Sequence, residues 1–403
     1  MSNFSWAHGG GPLACFADGY GSELSGLGFT HNSVVTHVVL MGQLSRWMSE
    51  VGIVVGDLTE DRVERFFDFR RGRGQRRVPT ARTLAPLFVY LRSQGVVAPP
   101  EVAAATPLED LLACYRRHLI DDRGLAPSTV AAHEGRARLF LSERISARGG
   151  GTGVEGLCAA DVTRYLLREC SRLGVGSAKN RVTELRSLLR FLYLQGLIGS
   201  DLAAAVPPVA GWRDTALPST LAACEVAALL SSCDRSKLTG RRDFAILTLL
   251  ARLGLRSCEV AGLELDDIDW RAGELRVRGK GRSQGCLPLL SEVGECLASY
   301  LRDGRPRAES RRVFLTSLAP LRGLHPTSIG GVVGRACERA GHPVVGPHRL
   351  RHALAAEMLR QGATLPQIGQ VLRHRDLATT AVYAKVDLGA LRRVAQPWPG
   401  AGQ

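Results

Sequence analysis

Two proline pairs, Pro99-Pro100 and Pro207-Pro208, set the strongest limit on what this chain can become. Proline has no N–H for an interior turn and its ring clashes with the turn before it, so no continuous helix runs through such a pair. The pairs open linker-like stretches that reach further prolines, Pro107 after the first and Pro218 after the second. The chain is thereby cut into three parts, each of which must bury its own apolar surface. A length of 403 residues with 45% hydrophobic side chains supplies enough material for three cores.

The first two parts read as helical, and the second reads as a copy of the first. Residues 1 to about 18 are Gly-rich and read as loose. From there to about 98 the pattern is helical, with Val34, Val35, Val38, Val39, Leu44 and Trp47 at helical spacing. A further helix begins near Leu58-Thr59, and another runs from about 82 to 94 and stops at Gly95. In the second part, Leu125-Ala-Pro-Ser-Thr opens a helix with Ser128 or Thr129 as its cap. Helices follow over 159–173 and 179–195, the last stopping at Gly196. The segment LAPLFVYLRSQGVV (84–97) lies over LRSLLRFLYLQGLI (185–198), with matches at Leu84/Leu185, Leu91/Leu192, Gln94/Gln195 and Gly95/Gly196. Val63 and Arg65 lie over Val162 and Arg164, and His37 lies near His133. Self-similarity of this kind points to a duplicated unit.

From Leu221 the pattern changes. Helices over 223–232 and 241–253 lead to Gly254-Leu-Arg256-Ser-Cys-Glu259. Short strands and turns follow: Asp269-Trp270, a turn at Ala272-Gly273, 274–278, a tight Gly279-Lys280-Gly281 turn, then 286–289. They predict a small antiparallel sheet with Lys280 at a hairpin turn. Helices return over 291–302 and 326–340. The fold class is therefore mainly α with a small antiparallel β-sheet, an α+β arrangement, in the C-terminal part.

The richest stretch is 347–383, PHRLRHALAAEMLRQGATLPQIGQVLRHRDLATTAVY. Pro347 suits the first position of a helix, where its missing N–H has no partner to lose. His348 and Arg351, three apart, point from one face, opposite Leu350, Leu354, Met358 and Leu359. Gly362 follows as a C-cap. Thr364-Leu-Pro-Gln367 has capping-box spacing and opens a second helix with Ile368, Val371 and Leu372 as its apolar positions. A third short helix, opened by Thr379 or Thr380, carries Tyr383.

Composition narrows the partner. The net charge is +14 and the isoelectric point about 9.8, which points to a polyanion. Most of that charge is arginine, whose planar fork suits phosphate. The ten cysteines include no C-x-x-C pair, which argues against a structural zinc site. Most, such as Cys114, Cys296 and Cys337, stand in apolar context and read as small core residues in a reducing, cytosolic compartment. No signal peptide is evident, and the best apolar run, 246–255, is broken by Arg252 and too short to span a membrane.

Breaking a phosphodiester requires a nucleophile, positive charge on the non-bridging oxygens and a proton for the leaving oxygen. Arg256 and Arg351 offer two guanidinium forks, His348 a base or hydrogen-bond donor, and Tyr383 a hydroxyl nucleophile. Glu259 reads as an orienting partner of Arg256, and His352 as either a packed neighbour or a participant. No metal ligand set or cofactor motif accompanies them.

With these residues placed, 221–386 resembles the catalytic domain of the tyrosine recombinases, the phage-type integrases. Four motifs stand in the family's order: Gly254-Leu-Arg256-x-x-Glu259, the Gly279-Lys280-Gly281 hairpin with Leu287-Pro288-Leu289, His348-x-x-Arg351-His352, and Leu372-Arg373-His374 with Tyr383 nine residues on. Residues 107–205 resemble that family's core-binding domain. The resemblance implies a catalytic set of Arg256, Lys280, His348, Arg351, His374 and Tyr383, with Lys280 protonating the 5′ leaving oxygen and His374 holding the phosphate or the tyrosine. It implies a 3′-phosphotyrosyl intermediate formed without metal, ATP or cofactor. Its partner is double-stranded DNA, bound as a homotetramer, with room for accessory DNA-bending proteins and a nucleoid location in the cytoplasm. The family often has Gly before the fourth motif's histidine; here Arg373 stands there, expected to add a phosphate contact.

The resulting organisation is an N-terminal helical DNA-binding unit (1–98), a core-binding domain (107–205), a linker (206–220), the catalytic domain (221–386) and a tail (387–403) exchanged between protomers. The function expected is site-specific strand exchange by the integrase or transposase of a mobile element. The alternatives are a type IB topoisomerase, which shares the chemistry, and a non-catalytic DNA-binding regulator.

Overall fold

The structure is a computed structural model that describes residues 10–73, 79–99, 106–148, 151–210, 220–279, 284–373 and 380. It divides into two compact units, one formed by residues 1–99 with 216–403 and the other by residues 100–215.

In the first unit the N-terminal segment forms α1 (Ala17–Gly26), α2 (His31–Val51), α3 (Glu60–Gly72) and α4 (Ala85–Ser93). Thr30 and Thr59 cap α2 and α3, their hydroxyls accepting from the backbone N–H groups of Ser33 and Arg62. Leu24, Leu44, Met48, Val63, Phe67 and Leu91 meet in one core. Helix α1 begins at the end of the stretch expected to be loose, where the helical pattern was expected to start. Its three glycines weaken helix propensity, and fully buried Tyr20 and Leu24 anchor it instead. Val39 also falls off the apolar stripe of α2, at 51% exposed. Gly28, at φ +83°, lets this segment touch the C-terminal one: the Leu321 N–H donates to the Leu27 carbonyl at 2.9 Å.

The second unit forms α5 (Pro107–Arg117), α6 (Pro127–Arg148), α7 (Ala159–Cys170) and α8 (Val175–Leu194). Helix α6 starts one or two residues before the expected caps. Pro127 occupies the first turn, where its fixed φ is preorganised, and the Ala126 carbonyl accepts from both Thr129 and Val130 N–H groups. Ser128 and Thr129 are therefore inside the helix. Cys114 is exposed on α5 rather than packed. Of the ten free cysteines only Cys233, Cys296 and Cys337 are buried, so most are not core residues.

The two helical segments share contacts that extend their sequence alignment into their cores. Tyr20 Oη lies 3.3 Å from His37 Nδ1, and Tyr115 Oη lies 3.4 Å from His133 Nδ1. Tyr20 packs on Tyr90, and Tyr115 on Phe191, the residue aligned with Tyr90. Both segments close their last helix on a left-handed glycine, Gly95 at φ +70° and Gly196 at φ +67°.

The C-terminal segment holds α9 (Ala223–Ser231), α10 (Leu238–Arg252), α11 (Ser257–Gly262), β1 (Ile268–Asp269), β2 (Glu274–Arg278), β3 (Gln284–Pro288), α12 (Ser291–Asp303), α13 (Pro326–Arg339), α14 (His348–Arg360) and α15 (Leu365–Leu372). The middle of helix α10 buries Ala245, Ile246, Leu247, Leu249 and Leu250 completely and so runs through the centre of the core. The sheet is antiparallel in the order β1-β2-β3, with Leu275 of β2 opposite both Ile268 and Leu287. Leu275 and Val277 face the core while Arg276 and Arg278 face outward, as period-two alternation requires. Strand β3 begins at Gln284, opposite Arg278, two residues earlier than expected. The turn residue Lys280 lies outside the described residues.

Among the described residues no helix is long and apolar enough to cross a membrane.

Candidate active site

The site is built where three helix ends meet. Buried α10 delivers the chain to Gly254, whose φ of +57° is accessible to glycine at little cost. The space there is closed as well, since a Cβ on Gly254 would stand 2.7 Å from Leu372 Cδ2 and 3.1 Å from Leu354 Cδ2. The turn presents Arg256 at the N-cap of α11. Its backbone N–H and its Nη1 each donate to the Glu259 carboxylate at 2.8 Å.

Glu259 is fully buried at its side chain, while Arg256 keeps 29% exposure. Burial pushes the Glu259 carboxyl upward. The Arg256 backbone N–H and the guanidiniums of Arg373 and Arg256 more than offset it, holding the group below the usual carboxylate range. Glu259 is thus an anion at neutral pH, with two cations set against it.

Helix α14 starts at His348, with Pro347 at the N-cap in helical geometry, one position ahead of the place expected for it. His348 and Arg351 have the spacing of one face but different surroundings. His348 is exposed at its edge, whereas Arg351 is 4% exposed. Arg351 Nη1 donates to the Gly254 carbonyl and Nη2 to the Leu372 carbonyl, so its fork braces the first motif against the end of α15. Partial burial of the ring, then the guanidiniums of Arg351 and Arg256, pull the His348 pKa below its ordinary value. His352, half-buried, is lowered by burial first and then by Arg349, His348 and Arg351.

Helix α15 opens as its capping box predicts: the Thr364 hydroxyl accepts from the Gln367 N–H, and the Gln367 side chain accepts from the Thr364 N–H. Ile368 and Leu372 are fully buried. The helix ends on Arg373 at φ +53°, the one non-glycine residue with positive φ among the described residues. An L-residue pays about 1–2 kcal/mol for that conformation. Arg373 Nη2 donates to Glu259 Oε2 at 2.7 Å, and the Arg373 carbonyl accepts from Arg256 Nη2 at 3.4 Å. Its guanidinium is thus engaged with a carboxylate and not extended outward as the phosphate contact first expected.

Arg256, His348 and Arg351 are therefore brought into one neighbourhood, while Lys280, His374 and Tyr383 lie outside the described residues. Sequence reasoning missed the load on Glu259, which serves two arginines. The available signal was the absence of glycine after Leu372. Among the described residues no group of His, Cys, Asp or Glu side chains is arranged to hold a metal ion.

Residues 219–388 match the model of the phage integrase family. The chain is 43% identical over 399 residues to the putative integrase/recombinase y4rA of Sinorhizobium fredii, covering 98% of this chain and 96% of that protein. It is 34% identical to the tyrosine recombinase XerD of Mycobacterium tuberculosis, covering 71% of this chain and 95% of XerD. Among solved structures, the XerH site-specific recombinase in a post-cleavage complex aligns with a TM-score of 0.53 at 18% identity, over 73% of this chain and 97% of that one. A lambda integrase dimer bound to a core site aligns with a TM-score of 0.53 at 17% identity, over 72% and 98%. The described elements of the C-terminal segment, three antiparallel strands among helices, carry the same fold. With Arg256, His348 and Arg351 in one neighbourhood and a relative matching nearly end to end, the chain is a tyrosine recombinase and belongs to the phage integrase family.

Proposed function

We propose that this recombinase cuts and rejoins duplex DNA at specific sites through a covalent 3′-phosphotyrosyl link at Tyr383, as the integrase or transposase of a mobile element. The Tyr383 oxygen attacks the phosphorus, the bond to the 5′ oxygen breaks, and the freed 5′-hydroxyl of a second strand reverses the step. Arg256 and Arg351 neutralise the non-bridging oxygens as charge builds on them. His348 takes the proton of the attacking hydroxyl, Lys280 gives one to the departing 5′ oxygen, and His374 holds the phosphate or the tyrosine. Because the phosphotyrosine keeps the bond energy no ATP is required, and the two arginines supply the positive charge that a divalent cation would bring.

The observation that carries this reading is the convergence of Arg256, Arg351 and His348 on one cationic corner from motifs 97 residues apart along the chain. The relatives named above support DNA as the partner, since the XerH and lambda integrase structures are of protein bound to DNA. In this scheme the segments 1–98 and 107–205 both hold DNA, 206–220 links them to the catalytic domain at 221–386, and 387–403 passes between protomers of a tetramer. The repeated Tyr–His contacts of the two helical segments support a shared ancestry and a shared task.

The test is strand exchange between two linear duplexes carrying the element's own end sequence, in excess EDTA. Recombinant products that depend on that sequence are expected. Relaxation of any supercoiled plasmid without exchange would point to a topoisomerase, and magnesium-restorable loss of cleavage would overturn the charge assignment.

A further inference from the structure

Arg373 has no role in the reaction as described, yet three parts of the site meet on it. Its side chain is only 17% exposed and crosses to the buried Glu259 carboxylate. On the way it lies against Gly285 of β3, where a Cβ would come within 2.9 Å of Arg373 Cδ. Gly285 pairs with Val277 across the hairpin whose turn holds Lys280. At its other end, the Arg373 carbonyl accepts from Arg256, and the next residue in the chain is His374. A left-handed backbone at a non-glycine residue persists only where surrounding contacts hold it. Glycine would adopt the same turn freely, so the arginine must contribute through its side chain.

We propose that Arg373 is a positioning residue: by sharing Glu259 with Arg256 and lying along Gly285, it holds the Arg256 fork and strand β3 in fixed positions at the site. This rests on the proposed function for its consequence, though not for its geometry. Glu259 Oε1 accepts from Arg256 Nη1, while Oε2 accepts from the Arg256 backbone and from Arg373. Without Arg373, Oε2 is open to a second N–H of Arg256. The resulting bidentate pair is the strong geometry for arginine and carboxylate, and it draws the guanidinium away from the phosphate. Strand β3 loses the stem lying on it at the same time.

The experiment compares Arg373→Gly, Arg373→Lys, Gly285→Ala and the Arg373→Gly/Gly285→Ala double variant. Single-turnover cleavage, affinity for site DNA and thermal midpoint are measured for each. Arg373→Gly should slow cleavage roughly tenfold to hundredfold with site affinity within about threefold, the pattern of misplacement at the reacting centre. Arg373→Lys, which keeps the charge but not the fork, should recover part of the rate. Gly285→Ala should lower both rate and midpoint in the parent and neither in the Arg373→Gly background, because the stem it displaces is gone. Gly285→Ala, which leaves Glu259 and Arg373 in place, reads the same contact should Arg373→Gly fail to fold.

Wild-type cleavage by Arg373→Gly, equal losses of cleavage and affinity, or additive effects of the two substitutions would each overturn the proposal. A parent protein that never cleaves DNA would instead remove the functional reading, and non-additivity in the thermal midpoint would still decide the contact.

Discussion

Charge at the centre of the site is governed by one buried carboxylate. Glu259 is ionised because two guanidiniums and a backbone N–H face it, and its anion in turn fixes where Arg256 points. His348 feels the opposite field. Ring burial and the nearby Arg351 and Arg256 make its protonated form unfavourable, so the imidazole is neutral and able to accept a proton at neutral pH. A pKa lowered in the free protein places the acid limb of kcat/KM for cleavage below the ordinary histidine value, about pH 6.5, with a plateau above it. His348→Gln should slow cleavage by roughly 10²-fold and abolish that limb, as expected for loss of a general base. A pH–rate profile of the variant with the limb unchanged would remove His348 from the proton transfer.

At the level of elements, the site is a junction of helix ends held by α10. Gly254 is its tightest point, because the left-handed turn and the contact with Leu372 both exclude a side chain. Gly254→Ala should cost about 2 kcal/mol or more, from the backbone term and overpacking together, and lower the thermal midpoint by roughly 4–8 °C. Cleavage should fall with it, since Arg351 holds the Gly254 carbonyl. A midpoint within error of the parent would show that the junction relaxes freely. What could be read from the sequence at this scale was chemistry that acts locally. The Thr364 capping box and the strand over 274–278 rest on neighbours a few residues apart, and both stand as expected. Local rules also misled. Ser128 looked like a cap, but Pro127 claimed the first turn. Cys114 looked apolar by its neighbours yet sits on the outer side of α5. The partner of Arg373 lies 114 residues away, a pairing no local pattern encodes.

For the whole molecule, a net charge of +14 suits the chain to a long polyanion. Phosphate contacts of that kind set affinity and orientation without carrying chemistry. In the proposed mechanism the chemistry rests on one oxygen, that of Tyr383, acting on a phosphate between Arg256 and Arg351. A suicide duplex, nicked close to the cleavage point so that the short product diffuses away, tests this most directly. The protein should accumulate a covalent protein–DNA adduct whose DNA-bearing peptide contains Tyr383, and Tyr383→Phe should form none while still binding the duplex. An adduct at full yield in Tyr383→Phe, or DNA attached to any other residue, would contradict the assignment of the nucleophile.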